Sequence, residues 1–123
     1  MPQTDIINSK HGISFVYVTC KDRAEALNVG RAVVEARLAA CANIIDGMDS
    51  IYWWQGELQI EKEAILIMKS RRDLFAELTA KVKSVHSYEV PCVVALPIEQ
   101  GNLDYLNWLM AETKTTDINI ERK

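Results

Sequence analysis

The softest potential ligands in the chain are three thiols and two imidazoles: Cys20, Cys41, Cys92, His11 and His86. Thiolate and imidazole together suit copper(I) or zinc better than hard cations. No sequence pattern dictates another chemistry. There is no Gly-rich phosphate loop, no nucleophile elbow, and neither C-x-x-C nor H-E-x-x-H spacing. With two histidines, a Ser-His-Asp or Cys-His arrangement has few bases to draw on. A complete catalytic set is therefore hard to assemble, although carboxylates keep the capacity for acid–base work.

Which donors can meet depends on the elements that carry them. Ile13–Cys20 is rich in β-branched and aromatic residues and reads as a first strand. Asp22 with Glu25 three positions later is an Asp variant of the capping box. Ala26, Leu27, Gly30, Val33, Val34 and Leu38 then recur at helical spacing, predicting a helix over about 22–38. From Ala39 to Trp54 the period moves toward two, with Asp46-Gly47 as a bulge or kink and Gln55-Gly56 as a turn. On the return strand Leu58, Ile60, Ala64, Leu66 and Met68 share one parity, while Ile65 and Ile67 read as buried on the other face. Ser70 or Asp73 is the expected cap of a second helix that carries Leu74, Phe75, Leu78, Val82 and Val85 through about His86. Pro91 bars its continuation, Cys92–Leu96 reads as a fourth strand, and a last helix starts near Asn102 with Leu103, Leu106, Leu109 and Met110 inward.

The order β-α-β-β-α-β plus a C-terminal helix predicts an α+β, ferredoxin-like sandwich. Four antiparallel strands lie in spatial order 4-1-3-2, with two helices on one face. One such domain is expected over residues 13–112, with a flexible N-terminal arm at 1–12 and a tail at 113–123. In this arrangement Cys20 ends strand one, His86 ends the second helix and Cys92 begins strand four, all at the same edge of the sheet. These three are the candidate metal ligands, and Cys41 lies at the opposite edge. Each has a plainer reading beside this one. Free cysteine is among the most buried residue types, and a histidine at a helix C-terminus is favoured by the helix dipole.

The long hairpin carries a second expectation. Strands of about 14 residues span roughly 46 Å, whereas a compact domain of this length is roughly 35 Å across. The tip must bend or project, exposing Ile51, Trp53, Trp54, Leu58 and Ile60 unless a partner subunit covers them. A closed homo-oligomer would do so. Lys69, with Glu61, Tyr88 and Glu89, could line a cleft between such subunits, and Lys69 reads equally well as a solvated strand end.

Seventeen acidic and fourteen basic residues leave a net charge of -3, which provides no footprint for a phosphate backbone or an anionic membrane. No nucleic acid and no membrane are expected as partners. An odd number of widely spaced cysteines, with no signal-peptide pattern at the start, fits reduced thiols in the cytoplasm.

Five segments together resemble the CutA-type divalent-cation tolerance family over about residues 13–112. They are Leu38-Ala39-Ala40-Cys41-Ala42-Asn43-Ile44, Ser50-Ile51-Tyr52-Trp53-Trp54 followed by Gly56, Met68-Lys69-Ser70, His86-Ser87-Tyr88-Glu89-Val90-Pro91, and Tyr105-Leu106-Asn107-Trp108. The resemblance implies a fold like that of PII signalling proteins and assembly as a homotrimer through the hairpin. It also implies a non-enzymatic role in metal tolerance or response to metal ions, with copper or another divalent transition metal bound and no organic cofactor. In some bacterial members the copper ligands are assigned to a cysteine matching Cys20 and to two consecutive histidines, where this chain has Val85 and His86. Cys92, where many relatives carry an acidic residue, would compensate. The alternative is a PII-like sensor or scaffold that binds a small anion or a protein partner in the clefts, using Lys69, Tyr88, Glu89 and Glu61.

Overall fold

The structure is a computed structural model and describes residues 12–114. Of the expected arm and tail, only Gly12, Thr113 and Lys114 fall among the described residues. The elements are β1 (Ile13–Cys20), α1 (Arg23–Glu35), β2 (Cys41–Trp54), β3 (Glu57–Arg71), a 3-10 turn (Arg72–Leu74), α2 (Phe75–Val85), β4 (Val93–Pro97) and α3 (Leu103–Glu112). The strands form one antiparallel sheet in the order β2-β3-β1-β4, which is the expected ferredoxin-like arrangement.

Alternation along the central strands explains the layers. Val16, Val18 and Cys20 of β1 share a face with Ala64, Leu66 and Met68 of β3, and these six are fully buried with Val29 and Val33 of α1 and Leu78 and Val82 of α2. A smaller cluster joins Ile13 to Leu106 and Leu109 of α3. Helices α1 and α2 cover only that face, so Ile65 and Ile67, expected to be buried, are half-buried on the open one. Leu103, expected inward, is 36% exposed because it sits at the first position of α3, where the helix has only begun to turn toward the sheet.

Helix α1 begins as the sequence predicts, with the Asp22 carboxylate accepting the Glu25 N–H at 2.9 Å. It stops three residues short of Leu38 because Arg37 takes a left-handed conformation, φ 63°. The Arg37 N–H then donates to the Val34 carbonyl and the Leu38 N–H to the Val33 carbonyl, closing the helix end in a Schellman pattern. Neither Ser70 nor Asp73 caps α2. The Ser70 hydroxyl, fully buried in β3, donates to the Leu38 carbonyl at 2.5 Å, and Asp73 accepts two bonds from the Arg71 guanidinium. Both side chains are therefore committed before the helix starts, and the chain enters α2 through the 3-10 turn.

Gly30 shows how closely α1 lies on the sheet. A Cβ there would sit 3.0 Å from Leu66 Cδ1 and 3.1 Å from the Ala42 Cβ. Gly30→Ala should gain about 1 kcal/mol of helix propensity yet lose more through strain, since a Cβ–Cβ clash has no rotamer to relieve it. The expected outcome is a lower Tm than wild type by thermal unfolding.

The hairpin turns at Gln55 and Gly56, both with positive φ (50° and 83°), the conformation that matches the twist of paired strands. The β2–β3 register shifts between Ile45 and Met48, where Gly47 takes φ 77°. The Asp46-Gly47 bulge is thus where the sequence placed it. Beyond the helices the hairpin stands uncovered, with Ile51, Trp53 and Ile60 exposed by 68%, 72% and 71%, and with Leu58 and Trp54 also exposed. Strand β4 begins at Val93, one residue later than expected, and ends on Pro97, which an edge strand tolerates because no neighbour needs its missing N–H.

Candidate metal centre

Three elements converge where β1 ends. Cys20 is its last residue, Glu25 lies in the first turn of α1, and His86 caps the C-terminus of α2. The Cys20 Sγ, a Glu25 carboxylate oxygen and a His86 ring nitrogen all lie within 4.8 Å of one another. The His86 and Glu25 side chains are only 0% and 6% exposed, and Cys20 is fully buried. His86 is therefore an interior side chain rather than a solvated cation at a helix end.

Hydrogen bonds fix each donor. Glu25 Oε1 accepts the Lys21 N–H at 2.9 Å and Oε2 accepts the Ser87 N–H at 2.8 Å. His86 Nε2 lies 2.8 Å from the Thr19 carbonyl, and the Tyr88 N–H donates to Nδ1 at 3.0 Å. A carbonyl can only accept and a backbone N–H can only donate, so the ring carries its proton on Nε2 and its lone pair on Nδ1. Nδ1 is 3.9 Å from Glu25 Oε1. Burial pushes the Glu25 carboxyl up, but the Lys21 and Ser87 hydrogen bonds and the His86 ring outweigh it and hold the group below its ordinary range. The Cys20 thiol is pushed up to about 12, by burial first and then by the Glu25, Glu63 and Asp22 charges.

Sulfur, oxygen and nitrogen donors on three separate elements fit a transition cation. Such an ion would replace the Cys20 proton and compete with the Tyr88 N–H for His86 Nδ1. Cys92 is not one of the three residues that meet. It precedes β4, lines a neighbouring cavity, and has its thiol raised by burial and by Glu63. Glu25 is the donor that sequence reasoning missed. Its capping-box spacing marked it as a helix cap, and its place five residues after a strand-end cysteine was the available signal.

The cavity, of about 850 Å³, lies on the open face of the sheet at the same end. Tyr52 donates to Glu61 at 2.7 Å and Tyr88 donates to Glu63 at 2.6 Å, and Glu89 stands beside them on the cavity wall. Within one chain, Lys69 does not join this group. It pairs with Cys41 near the far end of β3, roughly 26 Å along the strand from Glu61, and its Nζ donates to the Tyr105 hydroxyl at 3.3 Å.

Residues 14–112, which hold every residue of this cluster, match the family model described as CutA1 divalent ion tolerance protein. The chain belongs to the CutA1 family. Human Protein CutA is 44% identical over 108 residues, 88% of this chain and 60% of the human one. Rice chloroplastic Protein CutA 1 is 44% identical over 99 residues, 80% of this chain and 56% of its own. The chain thus spans less than two thirds of the length of these CutA relatives. The divalent-cation tolerance protein CutA of Thermus thermophilus is 45% identical over 98 residues, covering 80% of this chain and 95% of that one. Among solved structures, the divalent cation tolerance protein Cut A1 from Thermus thermophilus aligns with a TM-score of 0.81 at 43% identity, over 83% of this chain and 99% of that one. CutA1 from Oryza sativa aligns with a TM-score of 0.82 at 42% identity, over 88% of this chain and 100% of that one. The CutA1 family takes its name from ion tolerance rather than from a reaction. No helix among the described residues is long and apolar enough to cross a membrane.

Proposed function

We propose that this chain is a non-enzymatic metal-binding protein acting in tolerance of, or response to, metal ions, with Cys20, Glu25 and His86 as its ligands. The observation that carries this reading is the meeting of those three donor atoms within 4.8 Å. Copper is the ion favoured by a thiolate–imidazole pair and by its place at the head of the divalent affinity order, and other divalent transition metals suit the same set. Glu25 supplies the third donor in place of the absent second histidine, so Cys92 is not required. Three free cysteines suit a reducing compartment such as the cytoplasm. The exposed apolar hairpin supports assembly as a homotrimer.

A PII-like site for a small anion in the cavity is the weaker alternative. Asp49, Glu61, Glu63 and Glu89 line the cavity with no lysine, arginine or histidine among the described residues, which is the wrong sign for an anion.

Copper(I) titration against a chromophoric chelator under reducing conditions tests the metal reading. Because the Cys20 thiol sits near 12, binding displaces its proton throughout the neutral range. Affinity should therefore rise about tenfold per pH unit from pH 6 to 8. Cys20→Ser should bind at least tenfold more weakly and lose that slope, whereas Cys92→Ser should behave as wild type. Affinity unchanged in Cys20→Ser would refute the assignment.

A further inference from the structure

The cavity on the open face has walls that the metal reading does not use. Its volume of about 850 Å³ lies within the range of small-molecule sites. Two kinds of surface meet there: the rings of Tyr17, Tyr52 and Trp54, and the carboxylates of Glu61, Glu63 and Glu89. Among the described residues, no basic side chain contributes to the lining.

Glu63 decides which ligand such walls can hold. It is 6% exposed, and its Oε2 accepts the Tyr88 hydroxyl at 2.6 Å. Oε1 has no hydrogen-bond partner and no cation faces the group among the described residues. Oε1 is not among the closed-off buried polar atoms, so it is open to the cavity that Glu63 lines. Its charge is felt around the cavity, raising the Tyr88 hydroxyl and the Cys92 thiol along with burial. What is missing is a positive charge that brings N–H donors. Aromatic faces attract the same kind of group. A bare metal ion would use the carboxylates and leave the rings and most of the volume without a role.

We propose that this cavity binds a small organic ammonium ion, its N–H group on Glu63 and its hydrocarbon part against Tyr17, Tyr52 and Trp54. The site is separate from the Cys20, Glu25 and His86 cluster, so Cys20→Ser should leave amine binding intact.

Calorimetric titration of the intact protein with three probes of one shape tests the proposal: 2-phenylethylamine, neutral 2-phenylethanol and anionic phenylacetate. The amine should bind saturably and at least tenfold more tightly than either of the others. Glu63→Gln, which keeps the shape and the bond from Tyr88, should weaken the amine at least tenfold and leave the alcohol unchanged. Should that variant fail to fold by circular dichroism, the ranking of the three probes on wild type and on Glu89→Gln decides alone. Equal binding of amine and alcohol would reduce the cavity to an apolar cleft and overturn the proposal. Absence of amine binding to wild type would overturn it as well, including the case in which a lysine of a second copy already fills the space.

Discussion

Replacing both Trp53 and Ile60 with glutamate should convert the proposed homotrimer to a monomer in sedimentation velocity at micromolar concentration. These are among the most exposed large apolar side chains on the hairpin. Trp53 pairs with Leu58 and Ile51 with Ile60, so all four lie on one face of a two-stranded ribbon that neither helix covers. Burying each such side chain against a neighbouring subunit contributes about 1.5–3 kcal/mol, and placing a carboxylate there reverses the sign of two of those contributions. The core beneath α1 and α2 contains neither residue, so the separated monomer should keep its far-ultraviolet circular dichroism. Wild type that sediments as a monomer, or a double variant that remains a trimer, would remove the hairpin from the assembly.

Glu25→Ala should destabilise the fold by about 2 kcal/mol in urea unfolding, because it removes the charged acceptor, itself on a buried side chain, of the Lys21 and Ser87 N–H groups. The effect should depend on pH in one direction. The folded carboxyl titrates below its ordinary value, so its contribution is complete above about pH 4.3 and is lost as pH falls through the lower folded value. Wild type and variant should therefore converge in acid, and a gap that stays constant from pH 7 to pH 3 would show that the carboxylate charge is not what matters. Glu25→Gln keeps one acceptor oxygen and should fall between the two.

Much of this architecture was legible in the chain because it is local or periodic. The strand alternation, the Asp22 cap, the Gly47 bulge and the Gln55-Gly56 turn each follow from a few neighbouring residues. The strand order follows from the order of the elements. The misreadings have a different origin. Ser70 and Asp73 have the chemistry of helix caps, but Ser70 serves a carbonyl 32 residues away and Asp73 is held by Arg71. Ile65 and Ile67 read as doubly buried because an apolar run does not reveal that helices occupy only one side of the sheet. In the candidate site, Cys20 and His86 were recognisable from donor type and topology. Glu25 was not, since its spacing already had a sufficient explanation as a cap, and only the fold shows that the same carboxylate also reaches Ser87.

The bulge in β2 acts as a phase shift. Before it, Cys41, Asn43 and Ile45 face the same side as Lys69, Ile67 and Ile65. After it, Met48, Ser50 and Tyr52 face that side with Glu63, Glu61 and Gln59. The one extra residue thus swaps odd for even, presenting Tyr52 and Trp54 to the cavity and Trp53 to the opposite side. Deleting Gly47 would restore a regular ladder, with Met48, Ser50 and Tyr52 still opposite Glu63, Glu61 and Gln59 and on the same face as before. What the extra residue supplies is a local bend and added twist of the ribbon, which set the direction in which its adhesive face leaves the body of the sheet.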